Sequence, residues 1–171
     1  ILDNTSVEIP VTDTTLNQER PRTDGEYVVW QARQADGNWD IWVKNLNDAS
    51  AAIAVTNTVT DDEKNPVVEW PWVVFQRKDI SQVDVPWQLI AKNLLTDTES
   101  AIDTTTQDQL DPSIQQQRVV WQDHRDVGPG EIYFKDLNTG SVKRITTQSA
   151  GQYYPVIENQ WIVWADNRDL Q

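Results

Sequence analysis

Apolar residues along this chain come in short β-branched runs that end in an aromatic ring, and the runs recur. Val28-Val29-Trp30-Gln31, Val73-Val74-Phe75-Gln76, Val119-Val120-Trp121-Gln122 and Ile162-Val163-Trp164-Ala165 are copies of one motif, with their aromatic residues 45, 46 and 43 positions apart. A proline precedes each aromatic by nine residues: Pro21, Pro66, Pro112 and Pro155. A second motif follows the first three copies, as Asp40-Ile41-Trp42-Val43-Lys44-Asn45-Leu46, Gln88-Leu89-Ile90-Ala91-Lys92-Asn93-Leu94 and Glu131-Ile132-Tyr133-Phe134-Lys135-Asp136-Leu137. β-Branched and aromatic enrichment with period-two alternation reads as strand. No stretch longer than a turn carries a helical period, so essentially no helix is expected. Self-similarity at this period predicts a repeat architecture.

Each unit reads as four short strands separated by turn chemistry. In the third, a first strand begins at Pro112-Ser113-Ile114 and a second covers residues 118–122. Residues 124–130 hold the Asp, Gly and Pro of a turn, and a third strand covers 131–137. Asn138-Thr139-Gly140 then turns the chain into a fourth strand at 142–146. An antiparallel meander is the simplest topology. The first unit matches, with turns at Ala35-Asp36-Gly37-Asn38 and Asn47-Asp48. The second has three extra residues between Phe75 and Gln88, in a loop carrying Pro86 and Trp87. Near the start, Val7-Glu8-Ile9-Pro10-Val11-Thr12 resembles a fourth strand. The expected division is residues 1–20 as the last strand of a preceding unit, complete units at 21–65, 66–111 and 112–154, and the opening strands of a further unit at 155–171.

A meander of this length has two faces and cannot bury both alone, so stacking like units around an axis is the natural solution. The expected fold class is all-β, a single β-propeller segment of about three and a half blades, with Trp30, Phe75, Trp121 and Trp164 wedged between blades. A proline, Val-Val-Trp-Gln-Asp, an Asp/Gly turn, Glu-Ile-Tyr-Phe-Lys-Asp-Leu, Asn-Thr-Gly and Arg-Ile-Thr-Thr together resemble a TolB-type propeller repeat. The likeness is clearest over residues 112–147 and runs from about Val7 to Asp169. The second unit departs from it, with Phe75 for tryptophan and Gln88 for the acidic residue. The resemblance implies six or seven blades, more than this chain supplies. Three expectations follow: a segment of a longer protein, a pair of copies whose half-blades complete each other, or a compact ring with one incomplete blade. Propellers joined to peptidases of the prolyl-oligopeptidase kind share the pattern, but their hydrolase domain has no counterpart here.

Composition narrows the function. Asp and Glu number 27 against 14 Lys and Arg, a net charge of -13. Such a surface repels phosphate backbones and anionic headgroups, so nucleic acid is not an expected partner. No apolar run approaches the ~20 residues that span a bilayer, so membrane insertion is not expected either. Cysteine is absent, which excludes disulfides and thiolate chemistry, and methionine is absent too, so a processed chain or a segment is expected. Asn4-Thr5-Ser6 is a glycosylation sequon.

His124 is the single histidine, in the turn Asp123-His124-Arg125-Asp126, where the fourth unit has Asp166-Asn167-Arg168-Asp169. That substitution reads as an exposed turn, not a triad. No phosphate loop or nucleophile elbow is present. The acidic turns place Asp36 and Asp40, Asp123, Asp126 and Glu131, and Asp166 and Asp169 close together. Of these Asp123, Asp126 and Glu131 are the calcium candidates, against accompanying arginines that pair with carboxylates without a metal. Trp42, Trp70, Trp72, Tyr154 and Trp161 lie outside the repeated ring, many of the outside aromatics flanking prolines or turns, and the ligand-binding candidates among them are Trp87, Trp39 and Tyr153. The expected function is a non-catalytic interaction module of an exported, cell-surface or periplasmic protein, binding protein or glycan through propeller loops. The alternatives are an accessory propeller of a hydrolase or lyase, and a subunit of a surface layer or filament that self-associates through an open blade.

Overall fold

A computed structural model of the chain describes residues 10–12, 14–126 and 128–167; the sequon at 4–6, residues 7–9, and Arg168 and Asp169 lie outside these. Every regular element among the described residues is a strand. The first sheet holds β1 (Gln18–Thr23), β2 (Tyr27–Arg33), β3 (Trp39–Asn45) and β4 (Ile53–Ala54). The second holds β5 (Asp61–Glu69), β6 (Trp72–Asp79), β7 (Gln88–Asn93) and β8 (Thr98–Ala101). The third holds β9 (Gln109–Gln115), β10 (Arg118–Asp123), β11 (Glu131–Asp136) and β12 (Val142–Arg144). A last sheet has only β13 (Gln152–Glu158) and β14 (Trp161–Asp166). Strands pair in chain order and antiparallel in every sheet, so each is a meander, as the repeat predicts.

Alternation sets which blade each side chain meets. Val29, Ile41, Val43 and Val55 of the first blade pack on Val68, Val73 and Phe75 of the second. Val74, Leu89, Ala91 and Ile102 of the second pack on Val119, Trp121 and Tyr133 of the third. Phe75 and Trp121 are thus interblade wedges, and both are fully buried. Burying a side chain of this size contributes about 2–3 kcal/mol. Val28, Trp30 and Ala32 face away from the second blade and are covered by Val11 and Leu16. Trp164 is only half-buried.

Of the segment read as the last strand of a preceding unit, residues 1–9 and 13 lie outside the described residues. Residues 10–12 and 14–17 carry no strand, and Gln18, Glu19 and Arg20 open β1.

The prolines sit inside the first strands, where the chain kinks. Each of β1, β5, β9 and β13 carries one extra residue against its partner, between Glu19 and Arg22, Lys64 and Val67, Leu110 and Ser113, and Tyr153 and Val156. Pro21, Pro66, Pro112 and Pro155 occupy these bulges, where a residue without an N–H breaks no ladder bond. The residue before each is left-handed: Arg20 (φ 56°), Asn65 (51°), Asp111 (51°) and Tyr154 (54°). At Asn65 and Asp111 the N–H then points across to the preceding blade. Asn65 N donates to Gln31 Oε1 at 2.9 Å, and Asp111 N to Gln76 Oε1 at 3.1 Å. Asn65 Nδ2 also donates to Gln76 Oε1 at 2.7 Å. Gln31 and Gln76, which close the first two of these motifs, are therefore buried caps for the next blade's kink.

The opposite ends of the blades are joined in the same manner. Trp70 N donates to Asp24 Oδ2 at 3.0 Å, Gln117 N to Glu69 Oε2 at 2.7 Å, and Asn159 N to Gln115 Oε1. Tyr27 stacks on Trp70 with centroids 4.1 Å apart.

Gln76→Leu leaves the Asp111 N–H buried without a partner, and urea denaturation is expected to show a loss of about 1–3 kcal/mol. The exposed Gln107→Leu is expected to change stability by under about 0.5 kcal/mol.

Candidate functional site

The four kinked first strands enclose an axial cavity of about 410 Å³. Arg20, Arg22, Asn65, Asp111, Ser113 and Tyr154 are among the residues lining it. Its wall is therefore built from the bulges themselves. Burial raises the Asp111 carboxyl above its usual range, and the nearby Arg20 charge works against that rise.

At one rim the repeat brings two binding candidates together. Strand register makes Trp39 and Trp87 equivalent positions on adjacent blades, since Gln31 pairs with Ile41 and Gln76 with Leu89. Each is held by an aspartate of the following blade. Trp39 N donates to Asp62 Oδ1 at 3.0 Å, and Trp87 N to Asp108 Oδ1 at 2.8 Å. Lys64 stands between them, its ammonium 5.8 Å from the Trp39 ring centroid and 5.3 Å from that of Trp87. Asp62 Oδ2 accepts from Lys64 Nζ at 2.6 Å, and Lys78 Nζ lies 5.9 Å from the Trp87 centroid. Both indoles remain half-buried. The equivalent position in the third blade is Gly130, where an added Cβ would lie 2.8 Å from Gln122 Nε2, so the indole row ends at two. Tyr153 occupies the Lys64 position of the last unit, two blades on, and packs against Tyr154 with centroids 6.2 Å apart.

The calcium candidates are bonded to cationic and hydroxyl partners. Asp123 accepts from Arg125 Nε at 2.8 Å, Arg125 Nη2 at 2.6 Å and Trp121 Nε1 at 2.8 Å. Burial raises its pKa, but the bonds from Arg125 and Trp121 outweigh that and hold it below the ordinary carboxylate range. Asp126 accepts from Tyr133 Oη at 2.7 Å and pairs with Arg144 at 3.2 Å. Burial, then the bond to Asp126, pushes the Tyr133 phenol up to about 12. Glu131 pairs with Arg144 and accepts from Thr146 Oγ1. Asp40 is buried and accepts from Thr56 Oγ1 at 3.1 Å. Among the described residues no group of three or more His, Asp or Glu is placed to hold a metal ion. His124 Nε2 meets Gln122 Nε2 at 2.9 Å.

Lys64, Asp62 and Glu63 were not legible as site residues, although one signal was available. The position three before each proline reads Gln18, Glu63, Gln109 and Gln152, so one glutamine is replaced by a carboxylate. Glu63 is fully buried; it accepts from Thr58 Oγ1 at 3.1 Å and Arg77 Nε at 2.9 Å. Burial raises its pKa from 4.5 to about 7, against the opposing pull of Arg77.

Blades stacked around an axial cavity define a β-propeller array. The fold is TolB-like, as the solved structures show. TolB from Acinetobacter baumannii superposes with TM-score 0.61 at 14% identity, over 91% of this chain and 42% of its own. The propeller domain of the Trilobed protease from Pyrococcus furiosus gives 0.60 at 15% identity, over 87% and 53%. An oligogalacturonate lyase in complex with manganese gives 0.55 at 14% identity, over 78% and 40%. At these identities the likeness is one of fold. The chain spans between about two fifths and half of those structures' length. No protein-family pattern and no curated protein matches it in sequence.

Glu63 gives a pH signature. Its folded pKa lies above its ordinary value, so its stabilising contribution is complete below 4.5 and is lost as pH rises through about 7. The melting temperature of Glu63→Gln is expected to fall less between pH 5 and 8 than that of the parent. Parallel pH curves would show that burial does not hold this carboxyl protonated.

Proposed function

We propose that this chain is a non-catalytic interaction module of an exported, cell-surface or periplasmic protein, presenting one propeller rim to a protein or glycan. The observation that carries this reading is the convergence of Trp39 and Trp87 from adjacent blades on Lys64. The site pairs flat apolar faces with two ammonium groups in a chain whose net charge is -13. Aromatic rings on a rigid sheet supply contact area at low entropic cost, and cations beside them orient polar groups of a partner. The rigidity comes from the Asp62 and Asp108 carboxylates that hold the two backbones. The carboxylates at the acidic turns are bonded to Arg125, Arg144, Tyr133 and Thr146, an arrangement that serves turn structure.

A second reading is an accessory propeller that positions substrate for a catalytic domain. It is supported by the lyase and the protease propeller among structures of the same fold, of which this chain spans 40% and 53%.

The test is binding by the 171-residue chain to glycan and peptide arrays, with hits titrated by calorimetry. Trp87→Ala and Trp39→Ala are each expected to weaken a hit by about tenfold or more with the fold intact by circular dichroism. Trp161→Ala, at the other end of the blades, is expected to leave it unchanged. A hit indifferent to both rim substitutions would remove the rim from the function.

A further inference from the structure

The loop between β6 and β7 carries the three extra residues of the second unit, and it is pinned at both ends. Ile80 N donates to the Thr60 carbonyl at 2.8 Å, in the linker from the first blade. Asp79 Oδ1 accepts from Ser81 N at 2.8 Å and from Ser81 Oγ at 2.6 Å, which closes the turn. At the far end Asp108 holds Trp87 N, and the Trp87 carbonyl accepts from Gln109 N at 2.8 Å. The blade that carries this loop packs against a complete blade on either side.

The frame displays apolar side chains. Val83 is 89% exposed and Ile80 48%, and Val59, next to the Thr60 that accepts from Ile80, is 76% exposed. The equivalent turn of the first blade, residues 34–38, holds no aliphatic larger than Ala35. Scattered exposed aliphatics are ordinary, but three on one pinned frame beside two half-buried indoles make a contact surface. Lys78, two residues before Ile80, links the two parts, since its ammonium lies 5.9 Å from the Trp87 centroid.

The chemistry of this surface selects its occupant. An indole that receives a sugar does so on an open ring face. Here ammonium groups already stand over the faces, Lys64 over both rings and Lys78 over Trp87. Val83, Ile80 and Val59 offer a polyhydroxylated ligand no hydrogen bond, whereas they fit an apolar side chain of a polypeptide. Charge narrows the choice further. Asp62 stands opposite Lys78 in the strand register, yet both its oxygens are committed, to Trp39 N and to Lys64 Nζ. Lys78 pairs with no carboxylate among the described residues. Asp84, beside Val83, is exposed and carries the opposite sign.

We propose, on the footing that the Trp39–Trp87 rim is the binding surface, that the β6–β7 loop extends it into a docking site for an acidic polypeptide segment. An apolar side chain of the partner lies against Val83, Ile80 and Val59, and a neighbouring carboxylate pairs with Lys78. Apolar contact supplies the area, and the uncommitted ammonium supplies orientation.

Panning a displayed library of random linear peptides on the full chain tests this, with enriched peptides synthesised and titrated by fluorescence anisotropy. Enriched peptides are expected to carry Asp or Glu next to a large aliphatic or aromatic residue. Val83→Ser and Lys78→Gln are each expected to weaken them by about fivefold or more. Asp84→Asn is expected to tighten them by about twofold. All three positions lie on the surface of the loop or its strand, so unchanged melting temperatures show that the fold is kept. Enrichment of basic or uncharged peptides, weaker binding by Asp84→Asn, or no peptide at all from a rim that binds glycans would overturn the proposal. So would a Val83-dependent association that grows with chain concentration alone, which would mean that a second copy sits on the patch. Peptides that need Trp39 and Trp87 but ignore Val83 would remove the loop and leave the rim standing. Peptides that ignore both indoles would remove the rim itself.

Discussion

A kink that no blade can satisfy by itself ties this structure together. Each first strand turns left-handed just before a proline, which leaves one N–H aimed out of its own ladder. At the two seams between complete blades, a buried glutamine of the preceding blade accepts that bond: Gln31 for Asn65 and Gln76 for Asp111. A buried, unpaired amide is costly, so blade stacking and strand kinking are mutually dependent. The kinks also carry Arg20, Asn65, Asp111 and Tyr154 onto the wall of the axial cavity. The bond that joins neighbouring blades therefore shapes the cavity as well.

Electrostatics sets one spot on the rim apart from its surroundings. The chain is strongly acidic, yet its carboxylates are spent locally on arginines, hydroxyls and turn amides. Arg125 alone takes Asp123 at 2.6 Å and Asp103 at 2.7 Å. Lys64 and Lys78 beside Trp87 form a cationic spot against that background. Cation–π contacts are individually modest, about 0.5–1 kcal/mol where exposed. Their value here is placement: Lys64 sets the separation of two indoles that come from different blades.

Much of the fold could be read from Val-Val-aromatic-Gln and its period, because a strand that buries both faces must repeat its apolar residues in register. The wedge role of Phe75 and Trp121 followed from the same logic. The partners of the acidic turns were partly legible, since Arg125 stands two residues from Asp123. The meeting of Trp39 with Trp87 was not, because 48 residues separate them and only the blade-to-blade stacking puts Lys64 between. The prolines were visible as markers, yet their place inside the strands was not: a bulge is a property of two paired strands, and one strand's sequence does not display its partner's register.

By itself the sequence determined the all-β class, the four-strand unit, the aromatic wedge and the absence of cysteine chemistry. These are short-range or periodic properties, set by backbone propensity and by the alternation of faces along each strand. Tertiary structure alone decided which blade supplies each hydrogen-bond acceptor, which indoles share a cation, and that Glu63 loses its water while its repeat partners at that position are glutamines. Those outcomes depend on distances across blade seams and on local desolvation, and a linear pattern contains neither.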